Sequence, residues 1–425
     1  MAIEKRPNPA IRALRVEQFQ MSRTEFAAHI NREGIRMGEG VDCTGRLIAA
    51  WEDGDVSCPR PVYRRILTRM TGRSMEDLGF TVLTKPLTPD RLAADLDLGE
   101  AVQRRDFISG LAALGIDSEL GTPRRIGAAE VRTVQRAVTQ LKSLDDRMGG
   151  DNLRHDASRA LGALNRLINT ARYSEGIGHR LRSAYGDLAV LTGWLSYDAL
   201  DLGGAWSFYN QSLYQSRIAG DAQVEVHAYA QMSLTASRNG MPRDAIELAR
   251  MGQHISANHV PPRLMSLLLL REAFGWGRLR DATTCHQVLA RARRAFDHGT
   301  SDDDPRWIRF FSEAEFTGLT ATCCGYLGEY DKSAALTEQA LRLIDPEYGR
   351  NAAWYTVGLA EAELRRGELT DACTVATGVL PLVSEVSSTR THDRLRGFRR
   401  EVQQHQDVPA VRDFVEQSQL VIASP

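Results

Sequence analysis

The sequence predicts an all-α protein in two parts. A small unit of five short helices occupies residues 1–80, and a long body of repeated helices occupies residues 126–425. Residues 81–125, broken by prolines, glycines and aspartates, read as a linker with one or two short helices. Three observations carry this. From about residue 126 apolar residues recur at the 3.6-residue helical period, and no alternating strand pattern occurs anywhere. In that part, short turns are followed five residues later by a small residue, at Leu200/Ala205, Gly240/Ala245, Gly277/Ala282, Gly328/Ser333 and Gly367/Ala372. In the first 80 residues, helix-start signals and prolines crowd together at the spacing of short helices.

In the N-terminal unit, Asn8 caps a first helix with Pro9 at its first position, and Ile11, Leu14 and Phe19 give its apolar face. Ser22 and Glu25 form a capping box for a second helix, buried through Phe26, Ala27 and Ile30. The three glycines of NREGIRMGEGVD predict a loop over 31–42. A short helix follows in TGRLIAAWEDG (44–54), anchored by Trp51 with Leu47 or Ile48, and Gly54 allows a tight exit. Pro61 opens a fourth helix with Tyr63, Ile66, Leu67 and Met70, and Ser74 caps a fifth that ends in EDLGF.

Composition narrows the function classes. The 425 residues carry a formal net charge of -1, which favours neither nucleic acid nor an acidic partner. Only four of the 53 basic residues are lysines, a coding bias without mechanism. The six cysteines form no CxxC pair and no histidine pair stands at metal-ligand spacing. Buried reduced thiols in a cytoplasmic protein are expected, with no metal and no cofactor. The apolar run LMSLLLL (264–270) is far shorter than the roughly 20 residues of a membrane span. RRDFISGLAALG (104–115) has the pattern of a twin-arginine export signal, but it lies deep in the chain and reads as an amphipathic helix. There is no P-loop, GxSxG or HExxH, and no glycine-rich dinucleotide turn after a strand. HDASR and DHGTSDDD read as capping or loop segments, so no catalytic residue and no enzyme activity are expected.

The small residues of the body are separated by 40, 37, 51 and 39 residues, the long interval holding the inserted acidic loop DHGTSDDDPRW. The units resemble degenerate tetratricopeptide repeats, best in LGEYDKSAALTEQALRLIDP (327–346). That family has a further small residue seven before the turn, which selects Gly193, Ser233, Leu270, Ala321 and Ala360. Its concave positions select Trp194, Tyr197, Asp198, His227, Arg238, Arg271, Phe274, Glu315, Trp354 and Glu361. Aromatics and opposed charges on such a surface suit a peptide or an amphiphilic small molecule.

The order of helices in the N-terminal unit resembles the Cro/repressor-type (XRE) helix-turn-helix domain. Ala27 occupies the family's small position on the second helix, and Trp51, Glu52 and Gly54 match the Trp-Glu-x-Gly end of its recognition helix. Two departures stand out: the gap between the two helices is about a dozen residues rather than three or four, and Arg23 replaces a frequent glutamine. The resemblance implies binding to double-stranded DNA. Thr44, Arg46, Ala49 and Ala50 would face the major groove, with Arg46 able to read guanine and Ala50 a thymine methyl. Arg12, Arg15, Arg23, Arg60 and Arg64 would meet phosphates. Residues 1–80 hold thirteen basic and eleven acidic side chains, so affinity would come from clustered arginines and from pairing of two heads. The whole chain resembles Gram-positive peptide-sensing regulators, and more closely actinomycete regulators of antibiotic production and differentiation. That implies a homodimer, with the apolar edge of RDFVEQSQLVI (412–422) as a pairing surface. The alternative is a repeat scaffold that binds partner proteins and no DNA.

Overall fold

The computed structural model describes residues 7–37, 41, 43–54, 59, 61–71, 73, 75, 77–80, 125–148, 153–255, 261–345, 348–386 and 388–422. The expected linker over 81–124, with its RRDF segment, and Arg60 lie outside the described residues. The chain divides into two compact units, Met1–Leu98 (the head) and Gly99–Pro425 (the body). Among the described residues every regular element is helical, apart from a single isolated bridge between Arg125 and Arg172. None of these helices is long and apolar enough to cross a membrane.

The head contains α1 (Pro9–Ala13), α2 (Arg23–Arg36), α3 (Gly45–Glu52) and α4 (Pro61–Thr71). The Asn8 side chain accepts from the amides of Ala10 and Ile11, and α1 runs on into a π-helical turn, Leu14–Gln18. Ser22 and Glu25 form the reciprocal capping box of α2. That helix continues through Gly34 to Arg36, so the first part of the expected 31–42 loop is helix. Asn31 bonds to Cys43 twice: its amide donates to the Cys43 carbonyl at 2.9 Å and its oxygen accepts from the Cys43 amide at 2.7 Å. In the expected fifth helix, residues 75 and 77–79 form a turn instead. Gly79 takes φ +75, and Leu78 and Phe80 enter the core with Phe26, Ile30, Ile48 and Trp51. Asn8 also donates to the Leu78 carbonyl at 3.0 Å, joining the two ends of the head.

The body begins with α5 (Ala128–Met148) and α6 (Arg154–Thr170). Five hairpins follow: α7 (Glu175–Asp198) with α8 (Leu202–Ala219), α9 (Ala222–Arg238) with α10 (Pro242–Ile255), α11 (Pro262–Arg278) with α12 (Ala282–Phe296), α13 (Glu313–Leu327) with α14 (Tyr330–Leu343), and α15 (Gly349–Arg366) with α16 (Leu369–Glu385). Then come α17 (Thr389–Val402) and α18 (Pro409–Ile422). The odd-numbered helices α5 to α17 form an inner layer in which each touches the next. That layer closes on itself, since α15 touches α5 and α17 touches α7.

The hairpins repeat with a stricter phase than the glycines suggested. Leu200, Gly240, Arg280, Gly328 and Gly367 all take positive φ, each five residues before a buried small residue: Ala205, Ala245, Cys285, Ser333 and Ala372. In the third hairpin the left-handed residue is therefore Arg280, not Gly277. Gly277 lies inside α11, where an added Cβ would stand 3.3 Å from Tyr326 and 3.4 Å from the Cys323 carbonyl. The corrected register replaces Leu270 by Ala273 and Ala282 by Cys285. Bonds twelve residues apart mark the phase: Ser233 and Ser333 hydroxyls donate to the carbonyls of Ala245 and Ala321, and the Cys285 thiol to that of Ala273.

The apolar side of 412–422 is also corrected. Val411 and Phe414 are wholly buried against Val383, Leu395 and Phe398, and Val415 and Val421 pack against the same cluster. This edge is covered by the body's own helices.

Candidate functional site

In the head, α3 is locked on one side and open on the other. Thr44 caps it by accepting from the Leu47 amide at 3.3 Å. Ile48 and Trp51 are buried, Trp51 edge-on to Tyr63 and Phe80. Glu52, the last residue of α3, is buried and bound by two arginines. Arg15 Nε donates to its Oε1 at 2.6 Å and Arg23 Nε to its Oε2 at 2.7 Å. Burial pushes this carboxyl up, but the two guanidiniums outweigh it and hold Glu52 below the usual glutamate range. The open side carries exposed Thr44 and Arg46 with half-buried Ala49 and Ala50.

The expected phosphate set divides. Arg12 is exposed. Arg15 is corrected: it is buried, paired with Glu52, and donates to the Met21 carbonyl at 2.7 Å, so it holds the fold rather than meeting solvent. Arg23 is partly committed to Glu52 and keeps 42% of its side chain exposed. Arg64 is half-buried.

In the body, the inner helices enclose a cavity of about 610 Å³. Every helix of the inner layer reaches it, as does the acidic insertion, which places Trp307 and Phe310 in the wall. Trp307 stacks on His227 with ring centroids 4.0 Å apart. Val138, Val190, Leu191, Leu234 and Leu319 supply apolar lining. The charged part is organised by ion pairs that cross between distant helices. Arg350 donates to Asp145 at 2.6 Å, and Asp145 also accepts from the Trp194 indole at 2.9 Å. Arg390 donates to Asp198 at 3.0 Å. Trp354 is ringed by cations: Arg238, Arg390 and Arg394 lie 4.2, 4.1 and 4.1 Å from its centroid. Glu315 accepts from the Asn351 amide at 2.9 Å.

Burial governs ionisation here. It raises the Asp187 carboxyl to about 6, with Asp221 adding to the shift and Lys142 opposing it. It lowers His227 well below the ordinary histidine value, helped by Lys142 and Arg271, so the ring is neutral at pH 7. It brings Arg271 down to about 10, with Glu315 opposing and Arg238 adding. Arg271 therefore remains charged at neutral pH.

Of the ten residues expected on a concave surface, Trp194, His227, Arg238, Arg271, Glu315 and Trp354 line the cavity. Four stand behind the wall. Asp198 holds Arg390 from below, and Tyr197 packs on Trp194 at 5.5 Å. Glu361 accepts from Arg394 at 2.6 Å, and Phe274 is core, edge-on to Tyr326. In the corrected register of α11, Arg271 stands in phase with Leu191, Gln231 and Leu319, which also line the cavity. The sequence reading missed Lys142, Asp145, Asp187, Trp307, Arg350 and Arg390. Only Trp307 carried a local signal, as a tryptophan in an otherwise acidic insertion.

No protein-family model matches the chain, and no curated protein matches it. Among solved structures, NprR in complex with its cognate peptide NprX is 12% identical, over 76% of this chain and 88% of that one, with a TM-score of 0.38. A STAND signal-transduction ATPase with a tetratricopeptide repeat sensor, from Pyrococcus horikoshii, is 14% identical over 90% and 53% of the two chains, at 0.33. The TPR domain of P58(IPK) is 11% identical over 69% and 84%, at 0.21. At TM-scores this low the likenesses extend to nothing beyond the helical-repeat character of the chains.

Proposed function

We propose that the protein is a sequence-specific DNA-binding regulator whose repeat body holds a peptide or small-molecule effector. The observation that carries this is α3: a short helix fixed by Ile48, Trp51 and the doubly bound Glu52, with Arg46 exposed on its opposite side. A rigidly backed helix presenting an arginine and two alanines suits insertion into the major groove. A single head covers one half-site, so two copies of the chain act together on a near-palindrome. Secondary metabolism or development is the regulated process on the strength of the sequence resemblance to actinomycete regulators. The cavity supports the sensing role. An effector acts by binding the DNA-competent and incompetent arrangements unequally, with a coupling of about 1–3 kcal/mol.

The test is recovery and sequencing of genomic DNA bound by the full chain, followed by Arg46→Ala on the selected site and on scrambled DNA. Loss of a bidentate base contact costs about 1–3 kcal/mol at one base pair. An equal loss on both DNAs reduces Arg46 to a phosphate contact. No enrichment of any sequence by the wild type overturns the DNA reading and leaves the protein-binding scaffold. Sedimentation with and without the recovered site tests the pairing of copies.

A further inference from the structure

Resting on the proposal that the cavity is an effector site, we infer that its ligand is an amphiphilic organic anion, whose oxyanion group sits between Arg238 and Arg271 while its apolar part lies along Val190, Leu191, Leu234 and Leu319.

The first ground is unmet donors. Nε and Nη1 of both Arg238 and Arg271 are buried and meet no hydrogen-bond partner among the described residues. Arg271 is 4% exposed, and a guanidinium left dry and unpaired costs several kcal/mol unless something supplies the missing acceptors. Both side chains line the cavity, so that something must come from inside it.

The second ground is the local charge count. Three carboxylates of the cavity region bond to groups other than these arginines: Asp145 to Arg350 and Trp194, Asp198 through Oδ1 to Arg390, and Glu315 to Asn351. Glu315 makes no ion pair with Arg271 or Arg238 among the described residues, and burial raises its own carboxyl toward the neutral form. Glu315 acts on Arg271 through its charge alone, and neither Arg238 nor Arg271 has an ion pair among the described residues.

The third ground is preorganisation. Trp354 holds the Arg238 guanidinium at 4.2 Å, and Arg238 and Arg271 are close enough to repel each other's charge. Each guanidinium lining the cavity can give paired bonds to a carboxylate, sulfonate or phosphate, and an anion is what relieves the repulsion between the two. His227, in the same cavity lining, is neutral with Nδ1 unpartnered and offers one further polar contact. The volume of 610 Å³ falls within the range of small-ligand sites, roughly 300–1,000 Å³.

The test uses a matched pair of fluorescent probes on the full chain: 8-anilino-1-naphthalenesulfonate and N-phenyl-1-naphthylamine, which differ only in the sulfonate. The expected result is saturable one-site binding of the sulfonate at least about tenfold tighter than the uncharged probe, the scale of one charge-assisted hydrogen bond. Arg238→Gln and Arg271→Gln should each weaken the sulfonate about tenfold and leave the uncharged probe unchanged. Arg238 is half-exposed, so its variant decides the matter should Arg271→Gln fail to fold by circular dichroism. Competition by free inorganic phosphate, and by short peptides with free or amidated C-termini, then separates phosphate from carboxylate as the natural group. Equal binding of the two probes, or sulfonate binding indifferent to both substitutions, overturns the anion while leaving the cavity a ligand site. Saturable binding of neither probe overturns both.

Discussion

Glu52 in the head and Arg271 in the cavity are each a charge almost wholly removed from water, and the fold treats them in opposite ways. Glu52 is met by two arginines, at 2.6 and 2.7 Å, one from the π-helical turn after α1 and one from the first residue of α2. Arg271 has no such partner, and Arg238 beside it lacks one too. A satisfied buried charge fixes geometry; here it clamps the end of α3 to the π-helical turn and to the start of α2. An unsatisfied one costs stability and is kept where something outside the fold completes it. The head spends its buried charge on shape, and the body reserves its own for binding.

Breaking the clamp should give the largest effect. Glu52→Ala strands Arg15 in the interior, with an expected loss of about 3–5 kcal/mol, read from chemical unfolding of the head through Trp51 fluorescence. The ordinary glutamate pKa is near 4.5 and the folded value lies below it, so the clamp's contribution is present above the unfolded value. It is lost as pH falls through the folded one. The wild type and Glu52→Ala should therefore converge in strongly acidic solution, and a difference that persists there would contradict the ion-pair account.

Asp187 tests the cavity side of the comparison. Its folded value, about 6, lies above the ordinary 3.8, so the cost of its charge is absent below the unfolded value and complete once pH has risen past 6. Asp187→Asn should stabilise the body at pH 7 by at most about 3 kcal/mol and do nothing near pH 3, as measured by thermal midpoints across that range. A constant effect at every pH would assign it to packing.

The smallest effect sharpens the contrast most. Arg271→Met removes an unpaired buried cation and fills its space, so it should raise stability by about 1–3 kcal/mol while weakening anion binding. A large loss of stability would show instead that Arg271 is spent on the fold, as Arg15 is.

The parts of this arrangement that sequence could convey are the local ones. Asn8 with Pro9, and Ser22 with Glu25, announce helix starts because cap and amide lie within four residues of each other. Trp51 announces its burial through size and phase. Arg15 gave no warning, since its partner Glu52 stands 37 residues away and an arginine on an amphipathic helix looks solvated. The left-handed residue of the third hairpin, α11–α12, is Arg280, and reading the turn from Gly277 shifts the register by three residues. The pairs Asp145–Arg350 and Asp198–Arg390 span 205 and 192 residues, a separation at which no pattern in a single sequence connects two side chains.

Those two long-range pairs bear on how the body comes apart. A stack of hairpins in which each touches only its neighbours frays from its termini, one repeat at a time. Here α5 and α7 are bonded to α15 and α17, so neither end of the inner layer is free to peel first. Melting should be a single sharp event, with amide exchange in α5 as slow as in α15. Clipping the chain before α15 would then loosen a helix some two hundred residues upstream of the cut.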